Sequence, residues 1–400
     1  MIVYFIIAVI LGISAGIITG LIPGLHINLV AVIVLSTSVF LLQYFSPLVL
    51  AAFIISMSIT HTFLDFVPSC YLGAPDGEDN ALSVLPAHRL LLEGRGYEAV
   101  RLTAIGSLSG LIAILILTPI LLFSVAAFYS AIENYIAYIL IFASSFLILK
   151  DNKKLWALIS YLMAGIFGIG VFSLVNLKEP LFPMLSGLFG TSGLILSIKT
   201  KTKIPKQDLE VDKINKKEFG KVVSSGVFAS TLVGFFPGIG SAQAAIIVSS
   251  VFKKISTRGF LILLGSISTI VMVISFIALY TIGKSRNGSV LVISKIVENF
   301  ELSSLILFLG ISLIVGLAAF FITLKVAKWF SKIMGKVNYK RVCLSIIIFI
   351  TVLVILISGF LGLFVLVVAT FIGMVPPLRG VGRNHLMGCL ILPVILYFLL

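Results

Sequence analysis

The sequence has little charge and few side chains that bind metals. Of its 400 residues, 11% are charged, four are histidines and three are cysteines. Cys70, Cys343 and Cys389 lie far apart, in or beside apolar runs, which excludes a disulfide framework and metal-ligand spacing. The histidines are scattered, and no His-Glu-x-x-His motif occurs. The sequence therefore predicts no metal centre, no catalytic residues and no organic cofactor, so we expect a protein that is not an enzyme.

Hydrophobic residues dominate the composition instead. They make up 60% of the chain, and the mean hydropathy is +1.21. Apolar runs of about 18 to 25 residues, long enough to cross a bilayer, recur along the whole chain. Helices satisfy their own backbone hydrogen bonds in lipid. These features predict an all-α polytopic membrane protein with about 10–12 transmembrane or re-entrant helices in the cell membrane.

The net charge of +14 is concentrated in loops between the apolar runs. This distribution is typical of cytoplasmic loops and not of a nucleic-acid-binding groove, so the lipid bilayer is the expected partner and nucleic acid is not. The long polar stretch near the middle separates two halves. The predicted organisation is an N-terminal transmembrane repeat at 1–198, a cytoplasmic basic linker at 199–221 and a C-terminal transmembrane repeat at 222–400.

Two Pro-Gly breaks interrupt apolar runs at corresponding places. The first spans 20–28 and the second 234–243, which are 214 positions apart, and a polar break follows each copy, at 73–80 and 283–288. The loop charges predict that the first segment enters from outside, the second enters from inside, and each turns back as a hairpin. This is the inverted-repeat pattern of secondary transporters, in which broken helices mark the substrate site.

The chemistry of these breaks favours an anion. Proline removes a backbone donor and glycine permits unusual dihedral angles, so the helix stops and leaves unpaired amides. A helix that starts after the break presents N–H groups and a positive dipole end to a carboxylate or phosphate. The alternative is a pair of packing kinks. The candidate substrate-binding residues are Pro23, Gly24, His26, Asn28, Pro237, Gly238, Gly240, Ser241, Gln243, Arg286 and Asn287.

Ionisable residues inside an apolar run are costly and are therefore candidates for coupling to an ion. His61 and Asp65 are four residues apart, so they share one face of a helix. The pair predicts either proton or sodium coupling or a hydrogen-bonded structural pair. The other candidates for coupling or gating are Asp76, Asp79, Asn80 and Arg89. Arg89 is more simply interpreted as a positive-inside charge, and the alternative is a gate or an ion pair with Asp76 or Glu78.

The segments 72–75 and 85–96, together with the two Pro-Gly breaks, resemble the large membrane subunit of tripartite tricarboxylate transporters (TctA type). The resemblance implies ion-coupled uptake of a carboxylate, with a small membrane subunit and an extracytoplasmic solute-binding protein supplied as separate chains. The sequence departs from the family pattern at His26, where glycine is expected, and at 284–287, where Pro-Gly is expected.

Other functions share some of these features. Polyprenyl-phosphate translocases also have paired breaks in inverted repeats, and His26 and Arg286 would suit a lipid phosphate; such a translocase needs a lateral opening between helices. A passive channel and an intramembrane enzyme are the remaining classes. Two copies of the chain could also associate as a homodimer.

Overall fold

The computed structural model describes residues 2–22, 27–73, 82–132, 135–199, 204–235, 241, 244–245, 248–249, 255–285, 287–334 and 338–400. Within these residues the regular structure is helical and no strand occurs. Seven helices are long and apolar enough to cross a membrane, and three shorter apolar helices accompany them. The predicted all-α polytopic membrane fold is confirmed.

The helices in chain order are α1 (Ile2–Leu21), α2 (Ile27–Leu41), α3 (Pro47–Leu64), α4 (Phe66–Leu72), α5 (Val84–Leu92), α6 (Gly96–Ile132), α7 (Ile136–Lys150), α8 (Lys154–Phe172), α9 (Leu181–Leu185), α10 (Ser192–Lys199), α11 (Lys216–Phe235), α12 (Thr257–Ile282), α13 (Gly288–Ile296), α14 (Leu302–Met334), α15 (Tyr339–Arg379) and α16 (Gly388–Leu399). A π-helical turn at Ser186–Thr191 joins α9 to α10. α15 bends at Gly359, which has a left-handed φ of 69°.

The centre of the bundle is formed by α3–α4 and α12. In these two spans 83% and 89% of the most apolar stretch is buried inside the protein, compared with 22% to 39% in the other five. Each of the two is 26 residues long. Each ends at a glycine in the left-handed conformation, Gly73 with φ 64° and Gly283 with φ 66°. The two central helices are therefore matched in length and in how they end.

The first break belongs to a hairpin. α1 packs on α3 so closely that a β-carbon at Gly12 would lie 2.5 Å from the Phe53 carbonyl oxygen, and one at Gly20 would lie 2.9 Å from Leu64 Cβ. Residue numbers rise together along this contact, so α1 and α3 run parallel. Residues 22–46 must therefore return the chain to the end of the bundle where α1 began.

The second break repeats this arrangement. A β-carbon at Gly226 would lie 2.6 Å from Ser266 Oγ, and one at Gly234 would lie 2.5 Å from Ile274 Cγ2. α11 and α12 thus run parallel, so the chain has to return to the same end of the bundle between Phe235 and Thr257. Gly226 and Gly234 stand 214 positions after the two glycines that pack α1 on α3. The contacts agree with the hairpin expected from the loop charges.

The two halves run in opposite directions, as contacts of α6 and α14 show. α6 is parallel to α12, because β-carbons at Gly106 and Gly110 would meet the carbonyl oxygens of Ile262 and Ser266. α14 is antiparallel to α6. Its Gly316 meets Leu111 of α6, whereas its later residue Lys328 lies near the start of α6, 5.7 Å from the ring centre of Tyr97.

α14 is in turn parallel to α3–α4. Gly316 lies beside Ile59 of α3, and further along both elements the Tyr71 hydroxyl donates a 3.0 Å hydrogen bond to the Ala327 carbonyl oxygen. α3–α4 is therefore antiparallel to α12.

Residues 204–215 of the linker are not helical, and α11 already begins at Lys216, so the last residues of the predicted linker form the first turns of that helix.

Candidate functional site

Part of the predicted site lies outside the described residues. This part comprises Pro23, Gly24, His26, Asp76, Asp79, Asn80, Pro237, Gly238, Gly240, Gln243 and Arg286. Asn28 lies in the first turn of α2, with only its backbone described. The structure places the side chains of five predicted residues, namely His61, Asp65, Arg89, Ser241 and Asn287. The flanking helices fix where the two breaks begin.

Both breaks begin inside the bundle. At roughly 1.5 Å per residue, Leu64, the neighbour of Gly20, lies about 26 Å along α3 from Pro47, on a rod about 39 Å long. Ile274, the neighbour of Gly234, lies about 26 Å along α12 from its start. Because the two rods are antiparallel, the breaks come from opposite ends and each begins past the middle of its rod; for rods that are level with each other, the two beginnings lie about 13 Å apart.

The predicted ionisable pair sits against the first break. His61 and Asp65 are 3% and 4% exposed. The Asp65 amide donates a 2.9 Å hydrogen bond to the His61 carbonyl oxygen, so one continuous helical turn joins them. His61 Nδ1 lies 3.1 Å from Thr19 Oγ1, and a β-carbon at Gly20 would lie 3.3 Å from the Asp65 amide nitrogen. The pair therefore contacts the last turn of α1 before the break.

Thr19 is a contact that the sequence did not reveal. Its hydroxyl also hydrogen-bonds the Gly16 carbonyl oxygen, at 3.3 Å. Threonine hydroxyls commonly bond to the preceding helical turn, which gives no sequence signal for a second partner. The position that Thr19 takes opposite His61 follows from the parallel packing of α1 on α3.

Buried hydroxyl groups line both central helices. Hydroxyls cost free energy in an apolar interior unless they are hydrogen-bonded. Four of them make no hydrogen bond with another described residue: Ser56, Ser58 and Thr60 on α3, and Thr269 on α12. Such groups are suited to hydrogen-bond water or a polar solute. The two most buried helices therefore carry polar groups that the described residues leave without a hydrogen bond.

The second half lacks the ionisable pair. Gly20 meets Leu64 and Gly234 meets Ile274, so the residues that follow these contacts, Asp65 and Ser275, correspond. The same register pairs His61 with Val271. A buried imidazole on α3 and a buried carboxylate directly after it are therefore present in the first half, and neither occurs at the matching places of α12.

Asn287 has a structural role in the described geometry. Its side-chain oxygen accepts a 2.8 Å hydrogen bond from the Val290 amide and thereby caps α13. Its side-chain nitrogen lies 3.0 Å from Met272 Sδ and 3.4 Å from Ser275 Oγ. Asn287 thus ties the loop after α12 to the level of the second break. Ser241, also predicted, is 3% exposed.

Arg89 lies away from the ionisable pair. Its side chain is 73% exposed and pairs with Glu93 at 3.5 Å, one turn later on α5. Exposed pairs of this kind contribute little to stability. Arg89 instead lines a polar cleft at the end of the bundle where α6 and α12 begin.

An ion network at that end joins both halves to the linker. Glu98, whose side chain is 1% exposed, lies 2.6 Å from Arg95 and 3.0 Å from Arg258. Asp212 of the linker pairs with the same two arginines, at 2.7 Å from Arg95. The hydrogen bond from Arg95, followed by the bond and charge of Arg258, lowers the pKa of the Asp212 carboxyl. No sequence pattern predicted this network, because its members are up to 163 positions apart.

The linker is further fixed by Gln207. Its side-chain oxygen accepts a 2.8 Å hydrogen bond from the Gly96 amide, and its nitrogen donates a 3.0 Å bond to the Leu91 carbonyl oxygen.

Within the described part of the chain, no group of three or more histidine, cysteine, aspartate or glutamate residues could hold a metal ion.

Two antiparallel central helices, each packed against a hairpin whose break begins inside the bundle, resemble the arrangement of broken helices found in secondary transporters. A family model described as the tripartite tricarboxylate transporter TctA family matches residues 6–388. An uncharacterized protein of Methanocaldococcus jannaschii is 35% identical over 381 residues, which cover 92% of this chain and 93% of that protein. No solved structure matches the chain. The chain belongs to the TctA family and is a multi-pass membrane component of a transporter.

Proposed function

We propose that this chain is the substrate-translocating subunit of an ion-coupled carrier for a di- or tricarboxylate. The observation that carries the proposal is the placement of the two breaks. Each begins about 26 Å from its own end of a central helix about 39 Å long, and the two helices are antiparallel. Membership of the tricarboxylate transporter family supports a carboxylate as the substrate.

The anion would bind between the two hairpin turns. α2 begins at Ile27, directly after the first break, and Ser241 is helical directly after the second. The free N–H groups of either helix start would favour a carboxylate group of the anion.

Ion coupling is assigned to His61 and Asp65. Their contacts with Thr19 and Gly20 join them to the first break by a single helical turn. A proton or sodium ion bound at the pair would change the charge beside the bound anion, so the two would stabilise each other. A small membrane subunit and an extracytoplasmic binding protein are proposed as partners, as expected for a tripartite system.

Uptake into proteoliposomes tests the site. Radiolabelled citrate and succinate would be offered to protein carrying Gly24→Trp or Gly238→Trp. We expect both changes to abolish saturable uptake because a bulky side chain fills the break. Gly310→Trp is the matched control, since Gly310 is exposed and has no neighbour within 4 Å of an added β-carbon. Normal uptake by both break variants, with normal membrane insertion, would refute the proposed site.

Asp65→Asn tests the coupling separately. We expect accumulation driven by a proton or sodium gradient to be lost, while exchange of internal for external substrate continues. Gradient-driven accumulation at the wild-type level would contradict the coupling role and leave the substrate site untouched.

A further inference from the structure

Two cavities meet at one side chain, Phe219, near the start of α11. One is a polar cleft of about 360 Å³ between α5, the end of the linker and the starts of α11 and α12. The other is an apolar groove of about 520 Å³ between α6 and α11. Phe219 lines both. The two cavities therefore adjoin at Phe219, one of them polar and the other apolar.

The polar cleft carries an excess of positive charge. Arg89, Lys213 and Arg258 line it, against Glu93 and Glu218. Arg258 is held by the ion network and Arg89 by Glu93. Lys213 makes no hydrogen bond or ion pair with the residues that the structure describes. The first turns of α11 carry three further lysines, namely Lys216, Lys217 and Lys221.

The apolar groove runs along the membrane-spanning part of the bundle. It is lined by Ala113 and Leu117 of α6 and by Val223 and Val227 of α11. From Phe219 to the last lining residue of α11, Thr231, the groove follows the helix for about 18 Å. The groove is open where two small residues, Gly220 and Ala113, line it, because they have almost no side chain.

We propose that these adjoining cavities bind one anionic membrane lipid, with its phosphate head group in the cleft and one hydrocarbon chain in the groove. A soluble anion would use the cleft alone, whereas the groove faces the bilayer and has the length of an extended chain. Basic residues at the membrane surface attract anionic lipid. α6 belongs to the first half and α11 to the second, so the lipid would lie in the seam between the two halves.

Quenching by brominated lipids tests the site. The two native tryptophans are replaced by Trp156→Phe and Trp329→Phe, and Phe219→Trp serves as the reporter. The protein is placed in nanodiscs containing equal fractions of brominated phosphatidylglycerol or brominated phosphatidylcholine. We expect the quenching to show an affinity for phosphatidylglycerol at least about fivefold higher than for phosphatidylcholine. About fivefold is the factor expected when one basic residue attracts an anionic lipid. Equal quenching by the two lipids would overturn the proposal.

Matched variants locate the effect. Lys213→Gln should lower the preference about fivefold, whereas Lys332→Gln, which is exposed on α14, should leave it unchanged. A tryptophan reporter at Phe123, which is 88% exposed on α6, should show no preference between the two lipids. A reporter at Phe228 in the groove should show the same lipid preference as Phe219→Trp. The Phe228 reporter keeps the test valid if the Phe219→Trp protein does not fold. An unchanged preference in Lys213→Gln, or displacement of the lipid by soluble glycerol phosphate, would overturn the two-part site.

Discussion

The packing of α1 on α3 can be tested by adding one methyl group. A β-carbon at Gly16 would lie 2.6 Å from both the Met57 carbonyl oxygen and Thr60 Cβ, so α1 must move away from α3. Overpacking of this kind lowers the free energy of unfolding by about 1–3 kcal/mol. The upper part of that range applies because the added methyl group would clash with backbone atoms of α3. Replacing a helical glycine by alanine returns about 0.5–1 kcal/mol. Gly16→Ala should therefore destabilise the protein by about 1–2 kcal/mol.

The same change at Gly310 gives the opposite sign. Gly310 has open space around an added β-carbon, so Gly310→Ala should be neutral or stabilise by about 0.5–1 kcal/mol. Thermal unfolding of both detergent-purified variants measures the difference. Gly16→Ala should also impair uptake, because moving α1 breaks the 3.1 Å contact between Thr19 and His61. A Gly16→Ala protein as stable and active as Gly310→Ala would refute the close packing of α1 on α3.

Two further predictions concern the ion network. Glu98→Gln should destabilise the protein by about 1–2 kcal/mol, because it weakens the charge-assisted contacts with Arg95 and Arg258 while Asp212 still pairs with both; thermal unfolding measures this, and a loss below about 0.5 kcal/mol would contradict it. The pKa of Asp212 is lowered in the folded protein, so its contribution to the stability of linker docking is fully present above the ordinary carboxyl pKa of about 3.9. This contribution is lost as the pH falls through the lower pKa of the folded protein. Pepsin should therefore cleave residues 204–215 faster at about pH 2 than at about pH 5, when each rate is divided by the rate for a free peptide of the same sequence. The Asp212→Asn protein should be cleaved quickly at both pH values. Equal cleavage rates for the wild-type and variant proteins at about pH 5 would refute docking through this carboxylate.

The sequence predicted those features that depend on local chemistry. Proline and glycine at each break, and the charges of the flanking loops, sufficed to predict both hairpins, and the i,i+4 spacing of His61 and Asp65 predicted their shared face. The contacts between halves could not be predicted in this way. Glu98 and Arg258 look like ordinary loop charges until the parallel packing of α6 and α12 brings them within 3.0 Å. The capping role of Asn287 likewise depends on where α13 begins.

The restriction of the ionisable pair to the first half has a consequence for the populations of the transporter's states. Two identical inverted halves would make the outward-facing and inward-facing forms equal in free energy, because a two-fold rotation in the membrane plane would convert one form into the other. Val271 and Ser275 occupy the places that correspond to His61 and Asp65, so protonation or ion binding at the pair would add free energy to one half alone. The balance between the two forms would then shift with pH or ion concentration, even when no carboxylate is bound.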